Sequence, residues 1–80
     1  MNDLPEILEG LFMIHKDNDV PRNIRMKVKD VVDILNNEDE IEIKIDKSLE
    51  TLGEVADDPS VPQHTKMQIW SLVSLLETNK

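Results

Sequence analysis

The stretch Asp17–Leu35, DNDVPRNIRMKVKDVVDIL, returns between Asp58 and Leu76 as DPSVPQHTKMQIWSLVSLL. Sliding the chain by 41 residues (62 minus 21) lays Asp17 on Asp58, Val20 on Val61 and Pro21 on Pro62. The same shift lays Met26 on Met67, Val32 on Val73 and Leu35 on Leu76. Upstream, Leu8 falls on Leu49, Glu9 on Glu50, Leu11 on Leu52, and Leu4 on the similar Ile45. A unit that occurs twice in one chain is evidence about architecture. It carries no chemistry by itself.

Each copy reads as a helical hairpin. Asn2 or Asp3 can cap a first helix, with Pro5 in its first turn, where a missing N–H costs nothing. Leu4, Leu8, Leu11, Phe12 and His15 follow at helical spacing, and Ile7 and Ile14 widen the stripe on one side. Lys16 to Asp19 is a polar turn. Val20 precedes a proline, which pushes its backbone out of the α region, so a second helix is expected to start at Pro21. Ile24, Val28, Val31, Val32 and Leu35 form its inner stripe, and Asn36 to Asp39 end it with residues that favour turns.

The third segment is ambiguous on local pattern. Ile41 to Ile45 alternates like a strand, yet Ile41, Ile45, Leu49, Leu52 and Ala56 continue at helical spacing. The repeat decides for a helix, since a lone short strand has no partner. Asp57 to Ser60 is the second polar turn. The fourth helix is expected from near Pro62 to about Thr78, burying Thr65, Ile69, Leu72, Val73 and Leu76.

Connections this short make successive helices antiparallel neighbours. Two helices per unit at this period also resemble a HEAT-type repeat, but two units are too few for an open solenoid. The expected fold is therefore all-α, an up-and-down four-helix bundle of two tandem hairpins (1–39 and 42–80), forming a single domain over 1–80. Phe12 matches Gly53, both assigned to the apolar stripe, which suggests a large ring meshing with a missing side chain. On that reading Gly53→Leu overpacks the core.

Composition excludes more than it selects. The net charge is −8, from 17 acidic against 9 basic residues, which argues against nonspecific binding to nucleic acid or anionic membranes. The absence of cysteine removes disulfides, a thiol nucleophile and cysteine zinc sites, and fits a reducing cytoplasm. No apolar run reaches the roughly 18 residues of a membrane span, and the acidic start does not read as a signal peptide. His15 and His64, near the two turns beside Asp17, Asp57 and Asp58, have chemistry suited to zinc. They lack ligand spacing such as HxxxH, so no metal or cofactor is assigned. No nucleophile–base arrangement can be assembled, and Ser48, Ser71 and Ser74 read as helix-surface serines. The chain is read as non-catalytic.

Two surfaces remain. Arg22, Arg25 and Lys29 lie along one flank of the second helix and can grip phosphates or an acidic partner, or be a solvated face. Trp70 takes the place of Lys29 in the second copy, beside the inner stripe, with Lys66 close in sequence and Met67 facing outward like Met26. Tryptophan anchors interfaces and methionine adapts to them. It also closes core edges, so both readings of Trp70 stand.

At VPRNIR, and again at DDPSVPQHTKMQIWSLVSLLE, the chain resembles a family of small archaeal proteins catalogued as uncharacterised. Its marks are two VP turns and a segment P-x-H-x-R/K-x-x-I-W, matched here by Val20-Pro21, Arg22, Asn23 and Arg25, and by Val61-Pro62, His64, Lys66, Ile69 and Trp70. The resemblance implies an archaeal cytoplasmic four-helix bundle, without implying an activity. The expected role is a helical interaction module or accessory subunit, forming a homodimer or larger assembly through Trp70, Met67 and Lys66 with the Arg22/Arg25/Lys29 flank. The alternative is an accessory protein that holds phosphate or nucleic acid on that flank.

Overall fold

The computed structural model describes residues 3–79. Four helices follow one another: α1 Leu4–Lys16, α2 Arg22–Asn36, α3 Ile41–Asp57 and α4 Gln63–Thr78. They stand at the corners of a square, α1 touching α2 and α4, and α3 touching α2 and α4, with no contact across either diagonal among the described residues. This is the expected all-α bundle, and the ambiguous segment from Ile41 is helix.

The DxxVP turns explain themselves once built. Asp17 Oδ1 accepts the Asp19 N–H at 2.9 Å, and Asp58 Oδ1 accepts the Ser60 N–H at 2.9 Å. The aspartate carbonyls then accept the N–H of Val20 (3.1 Å) and Val61 (3.2 Å), reversing the chain. Both valines are buried at the end of the core. Pro21 and Pro62 follow in extended backbone, ψ 145° and 150°, and serve as N-caps, so α2 and α4 begin one residue later than the sequence suggested. Each proline carbonyl accepts the third and fourth amide hydrogens of its helix, from Ile24 and Arg25, and from Thr65 and Lys66. The motif is thus a turn, a core plug and a helix start in five residues. In the second copy the Ser60 hydroxyl also donates to Asp58 Oδ1 at 2.6 Å, and the pair of Ser60 hydrogen bonds holds that exposed carboxyl below the usual carboxylate range.

The inner stripes of α2 and α4 are buried as expected: Ile24, Val28, Val31, Val32 and Leu35, and Thr65, Ile69, Leu72, Val73 and Leu76. In α1 the stripe is rotated. Ile7, Leu11 and Ile14 form the buried line, Leu4 and Leu8 flank it, His15 is half-buried, and Phe12 is 40 % exposed. A helix held between two neighbours buries the line facing the diagonal, and 7, 11 and 14 lie along that line. In α3 the buried residues are Ile45, Ser48, Leu52, Val55 and Ala56. Ile41 is 43 % exposed because it belongs to the first turn, ahead of the buried span. Ser48 is fully buried, correcting its reading as a surface serine. Asp3 sits at the N-cap of α1 without capping it through its side chain, and Asn2 lies outside the described residues. Instead Asp3 Oδ2 accepts a hydrogen bond from Asn79 Nδ2 at 2.9 Å, which ties the start of α1 to the end of α4.

The two glycines have opposite surroundings. A Cβ on Gly53 meets nothing within 4 Å, so the proposed meshing with Phe12 is wrong: Gly53 faces open space and Gly53→Leu has no core to overpack. A Cβ on Gly10 comes within 2.8 Å of Leu72 Cδ2, so the missing side chain there lets α1 approach α4. Gly53→Ala is therefore expected to stabilise the fold by about 1 kcal/mol through helix propensity alone. Gly10→Ala gains less, because Leu72 must turn aside. Thermal melts followed by circular dichroism check the order, and a larger gain at Gly10 would refute it.

Candidate functional site

The outer face of α4 follows from its register. With Thr65, Ile69, Leu72, Val73 and Leu76 turned inward, helical geometry sends Met67 to the opposite face and Trp70 to the flank on the α3 side. Met67 is 63 % exposed and Trp70 51 % exposed, with Lys66 half-buried between Thr65 and Met67. Ile69 beside Trp70 is fully buried, while about half of the indole is left at the surface. The Ser71 hydroxyl donates to the Met67 carbonyl at 3.2 Å, back along the helix.

The basic residues of α2 do not join this face. α2 and α4 occupy diagonal corners, so Trp70 and its matching residue Lys29 sit on opposite sides of the bundle. Lys29 Nζ lies 2.7 Å from Asp33 Oδ1, an exposed i,i+4 pair that already neutralises its charge locally. Arg25 is half-buried with its Nε unpartnered, while its backbone carbonyl lies 3.2 Å from His15 Nδ1. Arg22 is exposed in the first turn. The flank is present as spaced in the sequence, but its three members have different environments.

The histidines at the turn end diverge. His15 packs against α2 through Arg25, whereas His64 Nε2 lies 3.6 Å from Asp17 Oδ2 across the two hairpins. Among the described residues no three histidine or carboxylate side chains converge in a way that could hold a metal.

Two features escaped the sequence reading. A groove of about 390 Å³ opens between α1 and α4, with Gly10, Leu72 and Leu75 at its apolar base and Glu6, Glu9 and Met13 on its rim. It marks the thinnest of the four helix–helix contacts. Phe12 and Met13, 40 % and 61 % exposed, stand on the outer side of α1. Comparing Met13 with its matching residue Glu54 would have flagged that α1 is apolar where α3 is charged.

Residues 1–79 match the model of an uncharacterised protein family, UPF0147. The chain is 43 % identical to a UPF0147 protein of Methanosarcina mazei, covering 96 % of this chain and 88 % of that one. It is 40 % identical to the UPF0147 protein of Methanocaldococcus jannaschii, over 94 % of this chain and 86 % of that one. Among solved structures, a member of the same family from Thermoplasma acidophilum superposes with a TM-score of 0.93 at 30 % identity, covering 99 % of this chain and 94 % of the other. A second solved protein, described as of unknown function, superposes at 0.91 with 38 % identity, over 98 % and 90 % of the two chains.

Proposed function

We propose that this chain, which belongs to the uncharacterised protein family UPF0147, is a non-catalytic interaction module, a small accessory subunit that seats a partner protein on α4. Its four helices act as one domain, and Trp70 anchors the contact with Met67 and Lys66 beside it. The observation that carries this reading is the half-exposed indole beside an inner stripe that is itself buried. A large ring left at the surface buries its area only when something covers it, and such rings dominate binding energy where they occur. Arg22 and Arg25, on α2 across the diagonal from α4, would serve a separate acidic partner rather than the one seated on Trp70. The phosphate-holding alternative is weakened by the net charge of −8 and by the Lys29–Asp33 pair.

Trp70 is the only tryptophan, so its fluorescence reports on this site alone. Wild type and Trp70→Ala, immobilised side by side and exposed to a lysate of an archaeon that carries the family, are expected to differ in one captured protein. Adding that purified protein to wild type should shift the indole emission to the blue. Circular dichroism of Trp70→Ala should match wild type. Unfolding of the variant, or an unchanged capture pattern, overturns the reading.

A further inference from the structure

The outer line of α1 carries Glu9, Phe12, Met13 and Lys16 at spacings of three, four and seven from the first, so all four share one face. All four are exposed, and neither Glu9 nor Lys16 takes part in an ion pair among the described residues. The midpoint of 9 and 16 is also the midpoint of 12 and 13. From an exposed apolar pair flanked at equal distances by opposite charges we infer that α1 is a self-association face. A second copy of this chain packs on it antiparallel, about a twofold axis crossing between Phe12 and Met13.

The geometry follows from symmetry. Two antiparallel helices related by such an axis bring like flanks together and reverse the direction along the helix. Phe12 therefore meets the partner's Phe12 on the α2 side of the seam. Met13 meets the partner's Met13 on the α4 side. Along the centre line, Glu9 comes level with the partner's Lys16 at one end, and Lys16 with the partner's Glu9 at the other. The seam is thus aromatic and thioether in the middle, closed at both ends by opposite charges. A parallel pairing places glutamate on glutamate and lysine on lysine. Met13 also walls the α1–α4 groove, so the apolar surface continues from the seam onto Leu72 and Leu75 of α4.

The chain contains its own control. The α3 positions matching Glu9, Phe12, Met13 and Lys16 are Glu50, Gly53, Glu54 and Asp57. That face has no apolar centre and three like charges, so it repels a copy of itself. α1 and α3 bury matching lines (Ile7, Leu11 and Ile14; Ser48, Leu52 and Val55), so the apolar and charge-balanced outer face of α1 is not required for helix packing.

One helix-on-helix seam is a small interface, and association is expected in the micromolar to millimolar range, roughly. Sedimentation equilibrium of the full chain across that range should show a monomer–dimer exchange. Met13→Glu, which gives α1 the residue that α3 carries at the matching position, should weaken the dimer by about tenfold or more. Glu9→Lys and Lys16→Glu should each weaken it on the order of tenfold, since each substitution acts twice in a symmetric seam. The two together restore the opposite-charge pairing and should recover the dimer. All these residues are exposed, so the helical signal should be unchanged. Trp70→Ala should leave this equilibrium alone, which separates the α1 face from the α4 face. A chain that stays monomeric throughout overturns the inference. So does a dimer that ignores the charge reversals or is lost only with Trp70→Ala.

Discussion

Leu52→Ala is expected to cost about 3–5 kcal/mol, and Leu11→Ala about 2–3 kcal/mol, although the two leucines match each other in the repeat. Both are fully buried, and each loses the same transfer energy. The difference comes from how far the surroundings collapse into the hole. Leu52 belongs to α3, which is held against α4 more broadly than α1 is and against α2 about equally, so little can move. Leu11 belongs to α1, whose contact with α4 is thin and bordered by the groove, so α1 can settle inward. For a chain this size, total stability of roughly 4–12 kcal/mol makes either loss a large fraction. Urea titrations of both variants test the order: the midpoint should fall further for Leu52→Ala at an unchanged slope. Equal costs would mean that the thin seam does not relax.

Thr65→Val is expected to stabilise the protein by about 1–2 kcal/mol, an effect opposite in sign to most core changes. The Thr65 hydroxyl is buried and has no hydrogen-bond partner. Valine keeps the shape and removes a desolvated polar group. Ile24, 41 positions earlier in the chain and also on an inner stripe, is fully buried and apolar, which supports the exchange. Ser48 is the parallel case, a buried hydroxyl without a partner where the first repeat has Ile7. There alanine removes the polar atom but leaves the small volume unfilled, so the gain should be smaller. A melting temperature raised by about 4–8 °C per kcal/mol is the readout for Thr65→Val. A lower one would show that the hydroxyl is hydrogen-bonded in solution.

These residues also show what could be read before any coordinates. Pro, Asp and Val in the DxxVP turns have strong local preferences, so both hairpins and the stripes of α2 and α4 were legible. The stripe of α1 was not, because Leu4, Leu8, Phe12 and Ile7 are all apolar and periodicity alone cannot choose its centre. Only the diagonal position of the helix in the square does so. Ser48 was misread because polarity normally signals the surface, and here the repeat position, matched by Ile7, outweighed it. Gly53 was misread with Phe12, since a glycine inside an apolar pattern looks the same whether it faces a neighbour or open space. For the candidate site, the outward placement of Met67 and Met26 was legible from register. The exposure of Trp70 depended on how much of the indole its neighbours cover, which sequence spacing does not reveal. The groove was invisible for a different reason: it reflects how far α1 and α4 stand apart, which no local pattern encodes.

The unequal contacts around the square also bear on how the chain finds its fold. Three of the four helix contacts join neighbours in sequence, and only α1 with α4 requires the chain to close on itself. That closing contact is the thinnest, so little of the bundle's energy waits on bringing distant segments together. Low contact order of this kind favours rapid folding. Packing of α2 on α3 shortens the span that this last contact must close, which lowers its loop-closure cost. The hydrogen bond from Asn79 to Asp3 spans that closing contact and joins the two ends of the described chain.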